Sequence, residues 1–204
     1  MEDRESHSSV QARLACPPPQ AQMIIVIRGT NGSGKSHAVR AILKLGTIER
    51  TFQDGSTLIR LHRVKRPVLV IGPYIAGRSM GGCDCIRQPR RIYRWINRAL
   101  FAEWHVVLEG VVLATRPYFQ MFNEGIDVRY AYFDPPMSTN LERIAMRQAK
   151  KGHVSPVNHE TMEHKQTQAH LMYIEAKRLD LKTKRFWKSP VNATPWILGQ
   201  LRTP

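Results

Sequence analysis

The stretch MIIVIRGTNGSGKSHAVRAIL, residues 23–43, constrains the fold more than any other part of the chain. An apolar run over 23–28, too short for a helix, enters a glycine-rich turn, and a helical pattern leaves it. A run of that kind predicts a strand buried on both faces, as in a parallel sheet. The turn, Gly29-Thr30-Asn31-Gly32-Ser33-Gly34-Lys35-Ser36, has the spacing G-x-x-x-x-G-K-[ST]. Glycine is needed where backbone N–H groups curl around a phosphate without Cβ clashes. The helix N-terminus that follows adds partial positive charge. Lys35 is placed to reach the β- and γ-phosphates of a nucleotide, and the Ser36 hydroxyl to hold Mg²⁺. His37 completes the nucleotide-binding stretch 29–37. Beyond it, Ala38, Val39, Ala41, Ile42 and Leu45 form a helical stripe that Gly46 stops.

The same alternation continues along the chain. RPVLVIGPY (66–74), HVVLEG (105–110) and VRYAYFD (128–134) predict further buried strands, and KRFWKS (184–189) a fifth. Residues 75–85 read as a mobile glycine-rich loop. Helices are expected over about 87–104, with Ile92, Trp95, Ile96, Ala99 and Leu100 on one face, over roughly 114–123, and from His159 to Leu179. Another helix follows Pro135 and Pro136, where Thr139 and Glu142 have capping-box spacing. Residues 47–66 are mixed and basic, with β-branched residues at 57–64. Strands alternating with helices predict one three-layer α/β domain over 23–204, with a parallel sheet of about five strands and a short lid around 143–158. Residues 1–22 are polar, carry three consecutive prolines and lack a signal-peptide core, so they read as a mobile arm.

Charge narrows the partner. Lys and Arg number 31 against 16 Asp and Glu, a formal net charge of +15, and that excess points to a polyanion, most often nucleic acid. Cys16, Cys83 and Cys85 are too few for a disulfide framework and wrongly spaced for a four-ligand zinc site. A reducing cytoplasm fits. The chain has no apolar run of membrane-spanning length, so no membrane partner is expected.

Several residues carry candidate chemistry. Glu109 ends a strand beside the phosphate site, where an acid holds the metal directly or through water; a strand-end carboxylate paired with a surface arginine is the plainer reading. Asp84, in GGCDC, fits two jobs, the base for an acceptor hydroxyl or the N-cap of the next helix. Arg143 and Arg147, four apart on one helix face, suit a lid that stabilises charge on a transferred phosphoryl group; a solvated face has the same spacing. Arg87, Arg91, Arg94 and Arg98 fall within an arc of about 60° at about 3.6 residues per turn. Like charges so placed repel, and an anionic partner such as DNA backbone relieves the repulsion.

The guanine-reading motif N-K-x-D and an LSGGQ-like signature are both missing from the sequence, which argues against a regulatory GTPase and an ABC-type ATPase, and the length is short for a helicase motor. A small P-loop kinase remains. The order IRGTNGSGKS, LVIGPYIAGRSMGGCDCI, VVLEGVVLATR and YFDPP…LERIAMR resembles bacteriophage P-loop kinases, particularly the 5-hydroxymethyluracil DNA kinases, over roughly residues 23–190. The resemblance implies transfer of phosphate from ATP, with Mg²⁺, to the hydroxymethyl group of modified thymine bases in DNA. It further implies nucleotide binding at Gly29 to Ser36 and a substrate loop around Tyr74 to Asp84, which contains Arg78; the arginine arc places Arg87, Arg91 and Arg94 as candidate substrate contacts beside it. Glu109 becomes an active-site acid, and Arg143 and Arg147 lid arginines. A nucleoside or nucleotide kinase and a polynucleotide 5′-hydroxyl kinase share the core motifs and stay as alternatives.

Overall fold

The computed structural model describes residues 22–74, 81–86, 88–110, 126–150, 152, 156–187 and 192–202. The expected helix at 114–123, the arm before residue 22, residues 75–80, Arg87, and residues 151 and 153–155 of the lid loop lie outside the described residues.

A seven-stranded sheet forms the centre, ordered β2-β3-β4-β5-β1-β6-β7. Its strands are β1 (Met23–Gly29), β2 (Gly46–Thr51), β3 (Thr57–Leu61), β4 (Val68–Ile71), β5 (His105–Glu109), β6 (Asp127–Phe133) and β7 (Lys182–Phe186). The helices are α1 (Lys35–Leu45), α2 (Pro89–Phe101), α3 (Met137–Ala149), α4 (His159–Arg178) and α5 (Ala193–Arg202), with a 3₁₀ turn at Cys83–Cys85. The five expected strands, β4, β5, β1, β6 and β7, run parallel. β1 lies between β5 and β6, so the chain reverses its direction of travel across the sheet there. Ligands of open α/β sheets gather outside the carboxyl ends of the strands at such a point.

Alternation along β1 divides the core. Met23, Ile25 and Ile27 join Ala38, Val39 and Ile42 of α1 and Ala193, Ile197 and Leu201 of α5. Ile24 and Val26 point the other way, to Ile92, Ile96 and Ala99 of α2 and Ala169, Tyr173 and Ala176 of α4. Burying both faces of the central strand drives the three-layer arrangement, each such side chain contributing roughly 1.5–3 kcal/mol. At the opposite end of the sheet His105 Nδ1 accepts the Met23 N–H at 3.2 Å. Burial and the nearby Arg66 and Arg129 push that imidazole down to about 4, so it stays neutral and serves as an acceptor.

Three local expectations give way to other geometry. β2 and β3 form an antiparallel hairpin on the edge next to β4, a pair of strands absent from the sequence reading. β2 exposes most of its residues and hides the periodicity that marks a strand; the Asp54-Gly55 turn between the strands is the remaining signal. α3 starts at Met137 directly after Pro136, with no side-chain cap, so Thr139 lies in the first turn and no capping box forms. Pro136, with φ fixed at −51°, starts the helix in place of a polar cap. α5, whose Ala193, Ile197 and Leu201 recur every fourth residue, also went unread.

Candidate active site

The glycine-rich loop joins β1 to α1 at the carboxyl ends of β1, β5 and β4. Lys35 is 8% exposed and folds back over the loop, its Nζ donating to the carbonyls of Gly29 and Thr30 at 2.8 Å each. A third donor of the ammonium faces Ser33 Oγ at 3.5 Å. Burial lowers the Lys35 pKa, while Glu109 and Asp84 pull it back up. Thr30 Oγ1 lies 3.8 Å from Met162 Sδ, which sets α4 over the loop. His37 is exposed and lines a groove between α1 and α5 of about 430 Å³.

Glu109 ends β5, the strand beside β1, and its Oε1 accepts the Ser36 hydroxyl at 2.6 Å. Its second oxygen, Oε2, is buried without a well-formed hydrogen bond among the described residues, and the Tyr74 hydroxyl lies beside the carboxylate. Burial raises the Glu109 pKa, opposed by Lys35 and by the Ser36 hydrogen bond. The plain reading of a surface ion pair therefore fails, because Glu109 is 2% exposed and faces the loop. A hydroxyl and a carboxylate in contact, with an incompletely bonded buried oxygen beside them, are the hard oxygen donors Mg²⁺ takes. Mg²⁺ needs only one or two protein oxygens, since substrate phosphates and water complete its shell. The Tyr74 hydroxyl is buried near the same carboxylate, and burial together with that negative charge raises its pKa.

Asp84 stands over the end of β5 by an unusual route. Gly82, at φ 76°, presses so closely on Glu109 that a Cβ would lie 2.5 Å from Glu109 Cγ. A Cβ on Gly110 would lie 2.7 Å from Asp84 Oδ1. Both positions therefore require glycine, and together they seat the Asp84 loop against Glu109. Asp84 does not cap the following helix, because Gln88 occupies that position. The cap reading is set aside, and the exposed carboxylate points out of the 3₁₀ turn.

Sequence reasoning missed one residue here. Arg28, 3% exposed at the end of β1, donates through Nη1 to the Gly110 carbonyl. Its Nε and Nη2 are buried without a well-formed hydrogen bond among the described residues, and the Tyr130 hydroxyl lies alongside. Burial lowers its pKa, with Tyr130, Asp84 and Cys83 pulling it up. Arginine at the end of an apolar strand reads as a surface charge; only its contact with Gly110 reveals it as part of the site.

Arg143 reaches the loop from α3, its Nη1 3.4 Å from the Gly32 carbonyl and 3.5 Å from that of Ser33. Arg147, one turn on, is exposed. Arg91 and Arg94 lie exposed on α2, outside this site. Arg78 and Arg87 lie outside the described residues.

A phosphate-binding loop, an acid on the adjacent strand end and a second carboxylate over that same end define a kinase, a P-loop phosphotransferase. A curated relative bears out the resemblance seen in the motifs: the chain is 29% identical over 167 residues to a protein of Pseudomonas phage PaMx11 named "5-hmdU DNA kinase", covering 76% of this chain and 86% of that one. No family model matches the chain. Among solved structures, a chain of the Pnkp1/Rnl/Hen1 RNA repair complex has a TM-score of 0.45 at 15% identity, over 76% of this chain and 46% of that one. A sugar kinase from Janibacter sp. HTCC2649 has the same TM-score at 14% identity, over 90% and 99%. Likeness at that level says nothing about activity. Among the described residues no helix is long and apolar enough to cross a membrane.

Proposed function

We propose that the chain transfers the γ-phosphoryl group of ATP to the hydroxymethyl oxygen of 5-hydroxymethyluracil bases in DNA. The observation that carries this reading is the seating of the Asp84 loop on Glu109 and Gly110. It brings a second carboxylate to the site that holds Lys35, Ser36 and Glu109. The phage relative, named for the same reaction, supplies the acceptor.

In this reading residues 29–37 hold the triphosphate and Lys35 leaves its loop carbonyls to neutralise charge between the β- and γ-phosphates. Ser36 and Glu109 hold Mg²⁺, which when bound screens the phosphate oxygens. Asp84 takes the acceptor proton as the hydroxymethyl oxygen bonds to the γ-phosphorus. The bond to the β-γ bridging oxygen breaks, and ADP leaves with that electron pair. Arg28 touches neither reactant; it positions the Gly110 peptide on which Asp84 rests. Arg143 and Arg147 close over the γ-phosphate, where fixed cations stabilise a transition state. The residues from Tyr74 to Asp84 admit the base, turned out of its stack as in other base-modifying enzymes. Arg91 and Arg94, and Arg87 by its place in the sequence, hold the DNA backbone.

Asp84→Asn tests the assignment. A positioned base is worth about 10²–10⁴ in rate, so kcat should fall by that factor while ATP affinity, read by calorimetry, is kept. Unchanged turnover, or a loss confined to ATP binding, would remove Asp84 from the role.

A further inference from the structure

The β2–β3 hairpin is an antiparallel addition to an otherwise parallel sheet, and its position beside the acceptor loop suggests what it is for. Its turn is fixed to the site: the Gly72 N–H donates to Ser56 Oγ at 3.0 Å, and Gly55 packs against Pro73. It is equally fixed to α2. Trp95 Nε1 donates to Asp54 Oδ2, and the Phe52 and Trp95 rings lie 4.3 Å apart between centroids. Two arginines lie over this aromatic pair. Arg50, from β2, sits 5.1 Å above Phe52; Arg98, from α2, sits 5.8 Å from Phe52 and 5.4 Å from Trp95.

A cation over a ring keeps N–H donors available, so these two are held beside the aromatic pair and can still reach phosphate oxygens. Arg91 and Arg94 extend the row one turn nearer the acceptor loop. All four are exposed, and no carboxylate lies within ion-pair reach of any of them among the described residues. Arg60, on the neighbouring strand, behaves differently: Glu49 neutralises it at 2.6 Å. Uncancelled charge is thus confined to one side of the hairpin, the side that meets α2.

Resting on the reading above, we infer that the hairpin and α2 form one track for the DNA strand on one side of the acceptor nucleotide. Arg50 and Arg98 grip its far phosphates, and Arg91 and Arg94 the near ones. α2 is 13 residues long, about 20 Å at ~1.5 Å per residue. That is the axial length of about six stacked nucleotides at ~3.4 Å each.

Single-stranded oligonucleotides with one 5-hydroxymethyluracil test the track. The strand is lengthened from one to twelve nucleotides on the 5′ side only, or on the 3′ side only. KM for the oligonucleotide should fall with length on one side and level off near six. In Arg50→Gln/Arg98→Gln the advantage of a long arm should shrink. The salt dependence of binding should become shallower by about 1.4, two contacts at ~0.7 each for a single strand. Glu49→Gln/Arg60→Gln, which removes a pair whose charges cancel, should leave both readings at wild-type values. Phosphorylation of DNA with KM independent of length on both sides, or with the double variant as length-sensitive and salt-sensitive as wild type, would overturn the track while leaving the proposed function standing. Phosphorylation of the free nucleotide with none of the oligonucleotide would instead overturn the proposed function.

Discussion

Arg28 and Lys35 stand in opposite circumstances to Arg50, Arg91, Arg94 and Arg98. The first two are buried, with pKa values lowered by the loss of water. The others lie in solvent, at no desolvation cost and without acidic partners among the described residues. A buried cation is kept only where rigid surroundings hold it, and those surroundings also fix where it points. An exposed cation is less narrowly placed, even where ring faces support it as at Arg50 and Arg98, but it adds to a long-range field that draws in polyanions. In the proposed reading the interior pair serves fixed points, Lys35 at the phosphates and Arg28 at the Gly110 peptide, and the outer set serves grip along a polymer.

Lys35→Ala should have the largest effect. Removal of the ammonium takes away a charge placed to act as phosphoryl transfer proceeds, and kcat should drop by about 10³-fold or more. Circular dichroism should show the fold intact, because the variant loses hydrogen bonds only to loop carbonyls that water reaches once the side chain is gone. A folded variant with wild-type turnover would erase the distinction between the two sets of cations.

Arg28→Met comes next and sharpens the comparison. Loss of a desolvated charge offsets the cost of leaving the Gly110 carbonyl without its donor. The melting temperature should stay level or rise, while kcat falls about 10- to 100-fold with KM for ATP unchanged, a range set by what a small misplacement of reacting groups costs. Arg28→Lys should recover part of the rate. A purely structural Arg28 would give the reverse pattern, lower stability with turnover preserved.

The smallest effect belongs to the outer set. Arg91→Ala/Arg94→Ala should leave turnover at saturating DNA within a few-fold of wild type and flatten the salt dependence of DNA binding by about 1–2. Equal losses of kcat from this pair and from Arg28→Met would show that surface and interior cations do the same work.

What the sequence discloses follows the same division between local and assembled features. β1, β4, β5 and β6 are legible because strands buried on both faces are written as largely apolar runs, whereas β7, KTKRF and mostly open to solvent, is marked in the sequence only near Phe186. The loop at 29–36 is legible because its glycines, lysine and serine stand at the spacing a phosphate-cradling turn demands, between a strand and a helix. The hairpin is not, since β2 turns charged residues to solvent and its partner strand is short. Asp84 is nameable from its place after a strand, yet its role turns on two close glycine contacts and on Gln88 taking the helix cap. Arg28 is the furthest from legible: nothing local marks it, and its burial depends on Gly110, which is 82 residues away in the chain.

The most direct measurement is transfer of label from γ-³²P ATP to an oligonucleotide carrying a single 5-hydroxymethyluracil, followed by digestion to nucleosides and chromatography. Label on the hydroxymethyl group of the modified nucleoside, with none on an otherwise identical thymine oligonucleotide whose 5′ end is blocked, is the expected result. Label confined to a free 5′-hydroxyl, or accepted only by the mononucleotide, would contradict it.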